Sequence, residues 1–99
     1  MTNEDAQGIA TRIRHDAEAG RFIVTIDGNE AELVYRLEPG RITVLHTWVP
    51  EAIGGRGIAG QLVKASFDWA RAEGLKVRPA CSYSDAWMKK HPEYEPLRA

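Results

Sequence analysis

Residues 41–70 read RITVLHTWVPEAIGGRGIAGQLVKASFDWA, and this stretch decides the fold. Its first part, Arg41 to Val49, is rich in β-branched and aromatic residues and predicts the longest strand of the chain, closed by Pro50. From Arg56 the period changes. Ile58, Ala59, Leu62, Val63, Ser66, Trp69 and Ala70 fall on one face of a helix, while Gln61, Lys64, Asp68 and Arg71 fall on the other. Gly74 is a natural stop, and Leu75 to Val77 predicts a short strand. A strand that follows a helix packed on its sheet lies most simply parallel to the strand before that helix. His46 to Ala80 therefore reads as a βαβ unit.

Toward the N-terminus, Arg21 to Ile26 predicts a strand and Asp27-Gly28-Asn29 a tight hairpin turn. Ala31 to Leu37 should return antiparallel, and Glu38-Pro39-Gly40 turns the chain into the long strand. His15 to Gly20 reads as turn-like. Met1 to Ala10 has no sustained periodicity, so residues 1–10 read as a flexible lead-in and residues 11–99 as one domain. Toward the C-terminus, Ser84 through His91 predicts a second short helix that starts near Ser84 or Asp85 and stops before Pro92. Glu93 to Ala99 reads as irregular. The fold class is α+β: an antiparallel meander of three to four strands, then a helix, a parallel strand and a short C-terminal helix.

The 99 residues are 43% hydrophobic and 27% charged, the balance of one globular domain. Thirteen Lys and Arg against fourteen Asp and Glu leave a net charge of -1, which provides no field to gather nucleic acid or an anionic membrane. Eight of the basic residues but only six of the acidic ones lie from Pro50 onward, so the C-terminal half is mildly positive. Cys81 is the only cysteine, and no apolar run reaches spanning length or resembles a signal peptide. A cytoplasmic location is the expectation. One Cys and three scattered His show no metal-ligand spacing, so no metal is expected.

The stretch most informative about function is Gly54-Gly55-Arg56-Gly57-Ile58-Ala59-Gly60, between strand and helix. Each glycine costs backbone entropy on folding, and Gly60 in the first helical turn costs roughly 1 kcal/mol against alanine. A helix start exposes unpaired amide donors and about half a positive charge, which suits phosphate and above all a pyrophosphate. The loop lacks the lysine of a P-loop. Gly55, Gly57 and Gly60 match the bare dinucleotide pattern, but Gly74 to Arg78 stands where an acidic residue should close the next strand. A glycine-eased turn with close helix packing is the alternative that involves no ligand.

From roughly Ile13 to Leu97 the sequence resembles the short, single-domain (Yjdj-type) branch of the GNAT N-acetyltransferase superfamily. The residues that carry the likeness are His46-Thr47-Trp48-Val49-Pro50, Gly55-Arg56-Gly57-Ile58-Ala59, Leu75-Lys76-Val77 with Pro79-Ala80-Cys81-Ser82-Tyr83, and His91-Pro92-Glu93-Tyr94. The resemblance implies a three-layer α/β arrangement and an acetyl-CoA site. In that site the loop of Gly54, Gly55, Arg56, Gly57, Ile58, Ala59, Gly60 and Gln61 holds the pyrophosphate, and Thr47, Trp48 and Val49 pair with the pantetheine arm. The superfamily usually has Arg or Gln where this chain has Gly54. Arg56 substitutes for that residue or is a solvated loop arginine.

Acetyl transfer from a thioester requires an unprotonated acceptor, a donor for the oxyanion and a proton for the leaving thiolate. Cys81, where the family branch also has a cysteine, is a candidate to accept the acetyl group or to protonate the thiolate; the alternative is a small buried apolar residue. His46 is a candidate base, or a hydrogen-bonded structural histidine. Larger relatives use a tyrosine on the last helix as acid; the matching residue here is Trp87, whose indole has no titratable proton at useful pH. Tyr83 is read as core packing, and His91 as a cap that meets the helix dipole. The resulting expectation is a small N-acetyltransferase with an open site, acting on an amine acceptor such as a protein or peptide. The alternatives are a non-catalytic acyl-CoA-binding module and a purely structural interaction domain.

Overall fold

The computed structural model describes residues 3–99, with side chains from Gly8 onward. A helix, α1 (Asn3–Arg12), leads into strands β1 (Arg14–Asp16), β2 (Arg21–Ile26), β3 (Asn29–Glu38) and β4 (Arg41–Trp48). Helix α2 (Ile58–Ala72) follows, then strand β5 (Lys76–Pro79), helix α3 (Ser82–Lys90) and a 3-10 turn over Pro92–Leu97. The five strands form one sheet in the order β1-β2-β3-β4-β5. The first four are antiparallel neighbours, and β5 lies parallel to β4 with Val44 opposite Pro79. Meander and βαβ unit both take the expected form.

The β2–β3 turn shows why the hairpin was readable. Asp27 and Gly28 both have positive φ, 51° and 77°, which aspartate tolerates and glycine favours, and their twist suits the flanking strands. Three segments differ from expectation. Met1 and Thr2 lie outside the described residues, but from Asn3 the expected lead-in is helical, and Ile9 is buried in the common core. Within the turn-like stretch, Arg14–Asp16 adds a strand to the edge of β2, and Asp16 Oδ1 then accepts from the Ala19 N–H in the real turn. The tail is ordered: Ala99 N–H donates to Val77 O, and Arg98 pairs with Asp85 and Glu95.

Side chains alternate along each strand, so the sheet has two distinct faces. Phe22, Val24, Ile26, Leu33, Tyr35, Val44 and Val77 point to one face and join Ile9, Leu62, Val63, Phe67 and Met88 in one core. Phe67, absent from the expected helix face, is fully buried there. Helices α1, α2 and α3 all belong to this side: α1 and α2 touch, and Trp87 of α3 packs edge-on against Phe67 of α2. The described residues thus make two layers, a sheet and a helical layer. The opposite face carries paired charges, Arg21 with Glu30 and Glu32, and Arg36 and Arg41 with Glu38.

Candidate functional site

Past β4, Pro50 leads into a 3-10 turn over Glu51–Ile53 that buries Ile53 and aims the chain at α2. Gly55 and Gly57 then adopt φ of 77° and 74°, a region in which a Cβ is strained, so these two positions need glycine for the turn itself. Gly57 is the N-cap of α2. No side chain caps the helix and no acidic residue stands in its first turn. Gly54 N–H donates to Glu51 O and Gln61 N–H to Gly57 O, so those two amides are used within the chain. Among the described residues, no backbone acceptor takes the N–H groups of Gly55, Gly57, Ile58, Ala59 or Gly60. These donors stand at the positive end of the α2 dipole, the arrangement that binds anions in other helices. Among the described residues no cavity encloses them.

Gly60 has a different reason to be glycine. A Cβ there would stand 3.3 Å from Trp87 Nε1 and 3.5 Å from Tyr83 Oη, so its absence lets α3 lie against the first turn of α2. Close helix packing therefore accounts for Gly60, as the ligand-free reading of the loop had it. Tyr83 is not core packing: it is 43% exposed, with its hydroxyl beside the open loop. Arg56 directs Nη1 to Asp27 Oδ2 at 3.0 Å in the β2–β3 turn, tying the loop to the hairpin. His91 does cap α3, its Nδ1 donating to Trp87 O at 2.7 Å.

The β4–β5 ladder stops at Val44 and Pro79, and β4 runs on to Trp48 with no strand among the described residues on that edge. Cys81 sits in this splay. Its N–H donates to Val44 O at 3.0 Å, and it is the N-cap of α3, half-buried with a free thiol. Thr47 Oγ1 lies 3.8 Å from Cys81 Sγ. Burial pushes this thiol up, but hydrogen bonds from the Ser84 backbone, the Thr47 hydroxyl, the Tyr83 backbone and the Ser84 hydroxyl outweigh it, and Cys81 is held below the ordinary thiol range. Tyr83 is pushed the other way, by burial and by the neighbouring charge of Cys81.

Cys81, Thr47 and Tyr83 thus gather on the helical side. His46 does not join them. Strand alternation turns it to the charged face, where its Nε2 lies 3.4 Å from Glu32 Oε2. Arg21 donates to the other oxygen of Glu32 at 2.9 Å and is the main reason that carboxyl stays below its usual range. Trp48 stands on the same face, opposite Glu32 in the ladder and 57% exposed. Glu32 is a residue that sequence reading missed; hairpin register could have found it, since Glu32 and Trp48 pair across β3 and β4. Among the described residues no group of His, Cys, Asp or Glu gathers as metal ligands, and no helix is long and apolar enough to cross a membrane.

A mixed sheet with a βαβ crossover and an amide-lined loop at the helix start is an architecture that acyl-group transferases share with other anion-binding domains. A model described as GCN5-related N-acetyl-transferase matches residues 21–97, and the chain belongs to that family. Among its relatives, Protein NATD1 of Homo sapiens is 39% identical over 89 residues, spanning 87% of this chain and 79% of that one. Protein NATD1 of Danio rerio is 39% identical over 93 residues, spanning 87% and 84%. A GCN5-like protein from Staphylococcus aureus, solved by NMR, has the same fold, with a TM-score of 0.70 at 29% identity over 88% of this chain and 86% of that one. Acyl transfer is the class of reaction this membership brings.

Proposed function

We propose that the chain is an acetyl-CoA-dependent N-acetyltransferase with an open acceptor side, acting on the amine of a protein, peptide or smaller molecule in the cytoplasm. The observation that carries this reading is that, among the described residues, no backbone acceptor takes the N–H groups of Gly55, Gly57, Ile58, Ala59 and Gly60, which stand at a helix start with no acidic residue in its first turn. Those amides would hold the pyrophosphate, and the unpaired edge of β4 at Thr47 and Trp48, with Val49 just past its end, would take the pantetheine arm. Acetyl-CoA supplies an activated acetyl thioester. Cys81 would lie near that thioester end, with its thiol held toward the ionised form by Thr47 and by the start of α3, which suits an acyl acceptor; as a proton donor it would act from its protonated fraction. His46 as base would act from the other face, across the strand edge.

Ala59→Asp tests the loop without breaking the helix. A carboxylate in the first turn of α2 favours folding through the dipole but repels pyrophosphate. By calorimetry, CoA and acetyl-CoA should bind the wild type, and the variant should lose at least about tenfold in affinity, roughly 1.4 kcal/mol, with its melting temperature retained. Unchanged affinity in a folded variant defeats the proposal. A second reading, acyl-CoA binding without transfer, draws on Trp87, which offers no titratable proton where larger relatives have tyrosine. It predicts saturable binding with no acetylated amine.

A further inference from the structure

The β2–β3 turn carries a charge that its own geometry does not require. Among the described residues Asp27 is the one non-glycine residue with positive φ, at 51°, and Gly28 follows at 77°. Asn-Gly meets that demand as well as Asp-Gly does, because the short polar side chain, not the charge, is what tolerates the left-handed region. The carboxylate serves a different contact. Its Oδ2 accepts from Arg56 Nη1 at 3.0 Å, across 29 residues of sequence, and joins the hairpin to the loop before α2. The Asp27 side chain is 75% exposed and that of Arg56 35%, so water screens the pair and its hold is weak.

Arg56 stands between Gly55 and Gly57, so the chain segment that carries its guanidinium also carries N–H groups that, among the described residues, no backbone acceptor takes. The contact with Arg56 thus brings a carboxylate within an arginine's reach of those donors. A phosphate group arriving there and the Asp27 carboxylate are rivals for the same guanidinium. Phosphate has the greater charge and presents two oxygens to the planar fork, while an exposed ion pair yields readily. We infer that Asp27 is a counter-ion displaced by the cofactor: Arg56 exchanges the Asp27 carboxylate for the pyrophosphate of CoA, and Asp27 thereby sets how tightly the loop takes that group. This rests on the acetyl-CoA reading above and extends it to a residue outside the loop, one that weakens binding where a ligating residue would strengthen it.

The test is a double-mutant cycle on the full chain, with CoA affinity measured by calorimetry and folding checked by thermal melts. Asp27→Asn keeps the turn and should raise CoA affinity about two- to fivefold, the range of an exposed ion pair. Asp27→Gly, which also suits the turn, should show the same gain. Arg56→Gln should weaken binding by at least about threefold. With Arg56→Gln in place, Asp27→Asn should bring little further change, because the carboxylate acts through Arg56. Dephospho-CoA keeps the pyrophosphate and lacks the 3′-phosphate, so Asp27→Asn should improve its binding by the same factor. An affinity that Asp27→Asn and Asp27→Gly leave unchanged or lower overturns the inference. So does a gain that survives intact beside Arg56→Gln, which marks simple repulsion of phosphate by Asp27, or a gain lost with dephospho-CoA, which moves the exchange to the 3′-phosphate. In each of these cases CoA still binds, and only the exchange is removed. Failure of the wild type and of Asp27→Asn alike to bind CoA removes the cofactor reading, and the exchange with it.

Discussion

The sulfur of Cys81 is acted on in opposite directions by its surroundings. Half-burial disfavours the thiolate, yet the opening N–H groups of α3 and the Thr47 hydroxyl favour it, and the second effect prevails. Since the thiolate is the form that reacts, alkylation by iodoacetamide should follow a titration curve displaced to lower pH than that of a free cysteine. Thr47→Val removes one of the donors while conserving volume and should move the midpoint back up; Thr47→Ser should restore it. A midpoint at or above the free-thiol value, unmoved by Thr47→Val, refutes this account. Much of the residue-level picture was legible. Period-two alternation already implies that His46 and Thr47 cannot share a face, and the lone cysteine after the last strand marks itself by position. The contact between Thr47 and Cys81 was not legible, because it joins residues 34 apart and depends on where β5 stops pairing.

At the scale of elements, the meeting of α2 and α3 turns on a missing side chain. Trp87 is wedged: it stacks on His91 at 3.7 Å, lies edge-on to Phe67 at 5.5 Å and packs on Tyr94 at 5.1 Å. It has little room to retreat from a Cβ at Gly60, which would stand 3.3 Å from its Nε1. Gly8, in the exposed part of α1, has nothing within 4 Å of its Cβ position. Glycine to alanine gains up to about 1 kcal/mol inside a helix, and overpacking costs about 1–3 kcal/mol. Gly8→Ala should therefore stabilise the chain by up to ~1 kcal/mol, and Gly60→Ala should destabilise it by ~1 kcal/mol. Urea denaturation measures both; a stabilised Gly60→Ala would show that α3 yields freely. The elements with strong signals, the Asp27-Gly28 hairpin and the amphipathic α2, were legible from local chemistry. Helix α1 was not, because its sequence is largely polar and Ile9 alone gives no periodic stripe. The three-residue β1 is too short to carry a pattern, and it exists because β2 offers an edge.

For the whole molecule, the near-balance of charge readable from composition resolves into local pairing, and the pairing sets how the fold responds to acid. Glu38 accepts from Thr43, Arg41 and Arg36 and is held down to about 2, while Glu32, Asp85 and Glu95 are each held below the usual carboxylate range by hydrogen-bonded arginines. Their contribution is present above the ordinary carboxylate pKa and is lost as pH falls through their depressed values. They are half-buried and still in reach of solvent, so salt weakens them in part. His15 acts earlier. It stacks on Phe22 at 4.0 Å, meets Trp69 edge-on and bonds Tyr35 Oη through Nε2 at 2.6 Å. Burial lowers its pKa from 6.5, although Asp16 pulls the other way. The unfolded chain therefore binds the His15 proton more readily than the folded one. Stability falls as pH drops below 6.5 and levels off once the folded histidine also titrates. The melting temperature should thus decline in two stages on acidification, a histidine stage first and a carboxylate stage below it. His15→Gln keeps a polar partner for Tyr35 without a titrating ring, so it should abolish the first stage and leave the second. Raised salt should flatten the second and spare the first. If His15→Gln retains both stages, the aromatic enclosure of His15 is not what the acid opens.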